Sequence, residues 1–145
     1  MRKKLRKENS LDGVIVHLLH RESQRADDLF TKEVGEIGLT RRQFAVLLAA
    51  AQSEAPTQTD IVDWTGIDRS TVARMSPRMV KKGLLQRRRS RQDARAKVVR
   101  VTEAGQSALK VAEPQAQRAG VAVLAGLSGE QRKVLIEVLK SIANS

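Results

Sequence analysis

The 145-residue chain reads as a mainly α-helical protein with one small β-hairpin. Three observations predict that class. Apolar residues recur at three- and four-residue steps through most of the chain. Helix-capping residues (Thr40, Thr57, Asp68, Thr102 and Ser128) stand ahead of such runs. The helical pattern breaks once, at Leu84–Arg89 and Ala96–Val101, two strand-like segments around the polar turn Ser90–Arg95.

The elements follow in order. From Ser10 to about Val34, residues Leu11, Val14, Ile15, Leu18 and Leu19, then Ala26, Leu29 and Phe30, mark one helical face, ended by Gly35 and Gly38. Thr40 and Gln43 form a capping box for a second helix with Phe44, Leu47, Leu48 and Ala51 on one side. Pro56 punctuates a link, and Thr57 caps a short helix from Gln58 to Trp64 with Ile61 and Trp64 turned inward. Gly66 suits a left-handed reversal. Asp68 caps the next helix, where its charge complements the N-terminus. Val72, Met75 and Met79 form the buried stripe of that helix, while Ser70, Ala73, Arg74 and Pro77 point outward, until Gly83 stops it. In the second strand, Val99 and Val101 share a face. Thr102 caps a long helix interrupted at Pro114, and Ser128 and Gln131 box a last helix with Val134, Leu135, Val138, Leu139 and Ile142.

Charge is unevenly spread. The net charge is +11. Residues 66–101 carry twelve Lys or Arg against Asp68 and Asp93, whereas residues 10–65 hold five basic and nine acidic groups. Met1–Asn9, with five basic residues, reads as a flexible arm. Concentrated positive charge is the footprint of a polyanion binder, since each neutralised phosphate releases counterions. A merely solvated basic surface is the plainer alternative. Aromatics are 2% (Phe30, Phe44 and Trp64), too few for a single-strand stacking surface. The absence of cysteine excludes disulfides and thiolate sites and fits a reducing cytoplasm. The longest uncharged stretches, Ala119–Gly129 among them, are far short of the roughly 20 residues of a membrane span.

Two short helices joined by a glycine turn, the second basic on its outward face, make a helix-turn-helix. The basic hairpin after it makes the motif winged. An α-helix fits the major groove of B-DNA, and side chains near its N-terminus reach base edges. Arg69, Ser70, Thr71 and Arg74 occupy those positions. Arg69 and Arg74 can each offer two donors to a guanine, while Ser70 and Thr71 suit phosphates or, for Thr71, a thymine methyl. On the hairpin, Arg87, Arg88 and Arg89 suit phosphates, and Arg91 and Arg95, beside Asp93 at the tip, suit a narrow minor groove. The apolar faces of both chain ends exceed what a thin lobe can cover. They pack on each other within one chain or, the commoner solution, on a second copy.

The chain resembles the multiple-antibiotic-resistance regulator (MarR) family. The resemblance rests on Thr40-Arg-Arg-Gln-Phe-Ala-Val-Leu47, on Ile67-Asp-Arg-Ser-Thr-Val-Ala-Arg74 followed by Lys82-Gly-Leu-Leu85, and on Arg88-Arg-Ser-Arg-Gln-Asp-Ala-Arg95 followed by Arg100-Val-Thr-Glu-Ala-Gly105. It implies a triangular homodimer whose N- and C-terminal helices interlock. Such a dimer binds a pseudopalindromic duplex, as a repressor released by a small ligand. The expected organisation is an arm at 1–9, an N-terminal dimerisation helix at 10–39, a winged helix-turn-helix lobe at 40–101 and C-terminal dimerisation helices at 102–145. Family effectors lodge between the dimer helices and the lobe. His17, His20, Arg21, Arg25, Phe30, Arg41 and Phe44 are the corresponding candidates. Arginine beside aromatic surface suits an aromatic carboxylate, and Arg41 with Arg42 suits the phosphates of an acyl-coenzyme A. Two departures stand out. Ala94 replaces the middle residue of the family's Asp-Arg-Arg, withdrawing one expected phosphate contact. Pro77 inside the recognition helix predicts a kink or loosening after Arg74.

An enzyme is the weaker alternative. His17-Leu-Leu-His20 lacks the His-Glu-x-x-His spacing of a zinc protease, there is no third His, and neither a phosphate loop nor a Gly-x-Ser-x-Gly elbow occurs. No metal and no cofactor is expected. A ligand-independent architectural DNA protein is the second alternative.

Overall fold

The computed structural model describes residues 11–93, 95 and 97–145. The basic arm, the Ser10 helix start, Ala94 and the Ala96 strand start lie outside the described residues. Eight elements follow the expected order: α1 (Ile15–Val34), α2 (Arg41–Ala51), α3 (Gln58–Thr65), α4 (Arg69–Lys81), β1 (Leu85–Arg89), β2 (Lys97–Val101), α5 (Glu103–Val123) and α6 (Gly129–Ala143). The mainly helical class with a two-stranded hairpin is therefore correct.

Side-chain caps fix most helix starts. Thr40 and Gln43, Thr57 and Asp60, and Ser128 and Gln131 form reciprocal capping boxes, and Thr102 accepts from the Gly105 N–H. Each satisfies amides that a helix start leaves without partners. α1 is the exception. It begins at Ile15 behind a 3-10 turn at Leu11–Gly13, and its Val14 cap makes no side-chain bond. Gly38, not Gly35, makes the left-handed stop, with φ +74°; Gly35 stays right-handed in a further 3-10 turn.

The core forms where α1, α2, α3, α4, the wing base and α5 meet. Phe30, Val34, Leu47, Ile61, Val72, Met79, Leu85, Val99 and Leu109 are among its buried side chains. On α2 the buried stripe is Val46, Leu47, Ala49 and Ala50; Leu48 and Ala51, expected inside, are exposed. The helix is rotated because it faces α3, β2 and α5 together. Trp64 is also a correction: it is 49% exposed. In a helix this short the inward position after Ile61 falls four residues on, at Thr65, whose hydroxyl donates to the Ile61 carbonyl at 2.6 Å. In β2, Val98 and Val99 are both buried, while Val101 is half-buried.

Neither internal proline ends its helix. α4 runs through Pro77 and α5 through Pro114. Both prolines are exposed, as are Ala73 and Lys110 one turn earlier, so water can reach the carbonyls that lose a donor. The buried Ser76 hydroxyl also bonds the Val72 carbonyl at 2.8 Å.

α5 packs along α1, and Arg118 pairs with Glu33 at 3.3 Å. α6 buries none of its residues. Ile15, Val16 and Leu19 on α1 and Val134, Val138, Leu139 and Ile142 on α6 stay exposed, so the two chain ends do not cover each other within one chain. Among the described residues, no helix is long and apolar enough to cross a membrane.

Candidate nucleic-acid interface

The helix-turn-helix is built by local hydrogen bonds. Gly66 turns the chain at φ +67°, and its N–H closes α3 on the Val62 carbonyl. Thr65 braces the turn from both sides, since its hydroxyl also accepts from the Ile67 N–H at 3.2 Å. Its role was hidden in the sequence, where it read as one more residue near a glycine. Asp68 then caps α4: one carboxylate oxygen accepts from the Thr71 N–H at 2.8 Å and from the Ser70 hydroxyl at 2.6 Å. The Ser70 bond, followed by those of Thr71, holds the Asp68 carboxyl well below the usual carboxylate range. Thr57 bonds hold Asp60 down in the same way at the start of α3.

Arg69, Ser70, Ala73 and Arg74 are exposed on α4, and Thr71 is half-buried. Arg69 reaches back to the Thr59 hydroxyl of α3 at 3.2 Å, which fixes it at the helix junction. Ser70 has its own proton committed to Asp68, so a phosphate would have to displace that bond. Arg74 carries no carboxylate partner among the described residues.

The wing is bolted to the same lobe. Leu85 pairs with Val101, Arg87 with Val99 and Arg89 with Lys97. Val98 bridges to Thr57, and the Val99 N–H donates to the Pro56 carbonyl at 2.9 Å. The start of α3 thus supports both the wing and, through Thr59, the recognition helix. Strand alternation puts Arg87 and Arg89 on one face and Arg88 on the other, where it reaches Gln86 at 3.4 Å. At the tip, Ser90 accepts from the Gln92 and Asp93 amides, and Asp93 accepts from the Arg95 N–H at 2.9 Å. Asp93 therefore folds the loop that displays Arg91 and Arg95, both exposed. At the wing base, Thr102 donates to the Gly83 carbonyl, and Gly105 lets α5 approach closely.

The effector candidates do not form one pocket within the single chain. Phe30 is buried against Phe44, ring centroids 5.5 Å apart, inside the core. His17 is half-buried, and His20 and Arg21 are exposed. Arg25 pairs with Glu22 at 3.4 Å. Arg41 is ion-paired with Asp27 of α1 and lines an open cleft of about 400 Å³ between α1, α2 and α4, with Arg42, Thr71, Arg74 and Arg78. This cleft was not legible in the sequence, because its arginines come from two helices, with Arg42 and Arg74 lying 32 residues apart.

Comparison with known proteins agrees with this anatomy. Residues 39–97 match the MarR family model. The transcriptional regulator YdgJ of Bacillus subtilis, itself uncharacterised, is 28% identical over 108 residues, 74% of this chain and 66% of the relative. BpsR of Bordetella bronchiseptica, whose DNA binding is regulated by 6-hydroxynicotinic acid, superposes with a TM-score of 0.88 at 26% identity, covering 94% of this chain and 98% of that one. The repressor CouR, solved on a 23-mer DNA duplex, has a TM-score of 0.84 at 28% identity, covering 97% and 99%. Residues 39–97 thus carry a MarR-type winged helix-turn-helix, and the flanking helices are arranged as in these DNA-binding transcriptional regulators.

Proposed function

We propose that this protein is a homodimeric repressor that leaves a pseudopalindromic duplex when a small anionic effector binds. The observation that carries the DNA contacts is the state of the lobe's arginines. Arg74, Arg87, Arg89, Arg91 and Arg95 are all exposed, and none has a carboxylate partner among the described residues. In this reading Arg74 and Arg69 read base edges, with Ser70 and Thr71 at phosphates or a thymine methyl. Arg87, Arg88 and Arg89 grip phosphates, and Arg91 and Arg95 enter the minor groove from a tip shaped by Asp93.

Residues 10–39 and 102–145 form the dimer region. Support comes from the exposed apolar faces of α1 and α6, which a second copy would cover. The effector is an aromatic carboxylate or its coenzyme A thioester. The regulation of BpsR by an aromatic acid supports that class. His17, His20, Arg21 and Arg25 would meet the ligand in a crevice completed by the second copy, with Phe30, Phe44 and Arg41 behind it. Two recognition helices set about 34–36 Å apart match one DNA turn. A ligand that favours another spacing needs a coupling of only about 1–3 kcal/mol to lower affinity some 5–150-fold.

Salt titration against specific and scrambled duplexes tests this reading. A regulator gives a specificity ratio of roughly 10³ or more, and an architectural protein a small one. Arg74→Ala should cost about 1–3 kcal/mol and relax sequence preference. Equal weakening on every duplex would reduce Arg74 to a phosphate contact. A thermal-shift screen of aromatic acids and their coenzyme A thioesters, followed by duplex release, tests the effector class.

A further inference from the structure

We infer that Ser90 is a phosphorylation site for a protein kinase that selects arginine ahead of its target, and that the phosphate loosens the wing's hold on DNA. Ser90 follows Arg87, Arg88 and Arg89 and precedes Arg91. It is the one serine or threonine of the chain with arginine both two and three residues before it. Kinases tell their substrates apart by such charge patterns, which carboxylates of the kinase read.

The fold presents this pattern in a readable form. Arg87, Arg88 and Arg89 lie in β1, whose backbone is extended and which pairs with β2 alone among the described residues. Its other edge is open, as an extended segment must be to enter a groove. All three arginines are exposed, and none has a carboxylate partner among the described residues. Ser90 is half-buried where the strand ends, and its Oγ accepts from the Gln92 and Asp93 amides at 3.1 and 3.2 Å. Its own proton goes to no acceptor among the described residues. Other hydroxyls of the lobe have theirs committed: Ser70 donates to Asp68, the buried Ser76 to the Val72 carbonyl and Thr102 to the Gly83 carbonyl. The tip around Ser90 is closed by exposed hydrogen bonds, so it can open without disturbing the strands.

In the transfer, Ser90 Oγ attacks the γ-phosphorus of ATP. The Oγ–P bond forms as the bond to the bridging oxygen breaks, ADP leaves, and the hydroxyl proton passes to a carboxylate of the kinase. The product carries about −1.5 to −2 at neutral pH. Five arginines and one aspartate give residues 87–95 a charge of +4, and the phosphate removes up to about half of it. The Gln92 and Asp93 amides already face Oγ, so the phosphate oxygens find donors there, and nearby guanidinium groups supply more. Arginines held by an internal phosphate are withdrawn from the duplex backbone, which the new charge also repels.

The effect on DNA rests on the reading of the wing as a backbone grip, whereas the site itself does not. The full chain is incubated with ATP and Mg²⁺, either with the catalytic subunit of cyclic-AMP-dependent protein kinase, which selects arginine two and three residues before serine, or with an extract of the protein's own cells. Mass spectrometry should find one HPO₃ per chain, on Ser90, from both sources. An Arg87→Gln, Arg88→Gln double variant should be modified at least about tenfold more slowly, having lost two charged contacts to the kinase. The phosphorylated chain should bind a duplex selected from random sequence at least about tenfold more weakly than the same chain after phosphatase treatment, with a shallower salt dependence. Kinase treatment of Ser90→Ala should leave that variant's own affinity unchanged. No phosphate on Ser90, a rate indifferent to the two arginines, or modification by the purified kinase but not by the extract overturns the site. Phosphate on Ser90 with equal duplex affinity before and after phosphatase overturns the effect on DNA. A chain that binds no duplex even after phosphatase would instead overturn the reading of the wing.

Discussion

Replacing Gly105 with alanine sets two opposed effects against each other, and the structure decides which wins. Gly105 is buried in the first turn of α5. A Cβ there would lie 2.2 Å from the Leu84 carbonyl oxygen and 2.7 Å from Val101 Cγ1. Ordinary carbon–oxygen contacts begin at about 3.3 Å, so α5 and the wing base must part by roughly 1 Å. The obstacle is backbone, and it is pinned: the same Leu84 carbonyl accepts from the Thr102 N–H at 3.1 Å. Overpacking costs about 1–3 kcal/mol, and an immobile obstacle puts this case near the top of that range. Alanine is better than glycine inside a helix by about 1 kcal/mol. The balance for Gly105→Ala is a loss of roughly 2 kcal/mol, or a fall in Tm of about 4–8 °C for a chain of this size. Scanning calorimetry at matched protein concentration measures it, since the Tm of an oligomer depends on concentration. Duplex affinity should fall as well, because the wing root is displaced. A Tm that rises, as helix propensity alone would give, refutes the close approach.

Other substitutions test separate parts of the structure. Trp64→Ala should cost under about 1.5 kcal/mol in denaturant unfolding, because the ring is half exposed. A loss of roughly 3–5 kcal/mol would return Trp64 to the core. The bonds from Ser70 and Thr71 depress the folded pKa of Asp68, so its contribution is present above the unfolded value near 3.9 and is lost as pH falls towards the folded one. Asp68→Asn should therefore flatten the loss of stability below about pH 4; an unchanged acid limb would remove Asp68 from that account. Ile142→Asp, at a position 66% exposed in the single chain, should shift the protein from dimer to monomer in light scattering at micromolar concentration. A dimer that persists would place α6 outside the interface. Arg95→Ala should weaken duplex binding by about 1–3 kcal/mol, and unchanged affinity would remove the wing tip from the contact.

What the sequence makes legible is mostly local. Thr40, Thr57, Asp68, Thr102 and Ser128 each bond an amide three residues on, so neighbouring letters suffice to place the caps. The glycine turn at Gly66 and the strand pair at Leu85–Arg89 and Lys97–Val101 are equally short-range. Facing is another matter. Leu48 and Trp64 are apolar at helical spacing, but which stripe turns inward depends on neighbours far along the chain. Pro77 and Pro114 look like breaks, yet their cost depends on whether water reaches the abandoned carbonyl, and burial is a tertiary property. The same holds for Gly105 against Leu84 and for the four arginines of the α1–α2–α4 cleft. The candidate DNA side chains follow from their place on α4 and the hairpin. The effector candidates scatter along α1, into the core and, for Arg41, onto the start of α2, because spacing along the chain does not fix which side chains share a concavity.

The register of the hairpin separates how firmly the wing holds from how far it extends. Arg87, Arg88 and Arg89 lie within the paired strands, where each position is locked to a partner, while Arg91 and Arg95 ride on the loop beyond the last pair, Arg89 with Lys97. One residue gained or lost in that loop alters its span by about 3.4 Å at most. It leaves the strand arginines on the same two faces, because alternation is set by the ladder beneath. Loop length can thus set how far Arg91 and Arg95 reach while Arg87, Arg88 and Arg89 stay in place.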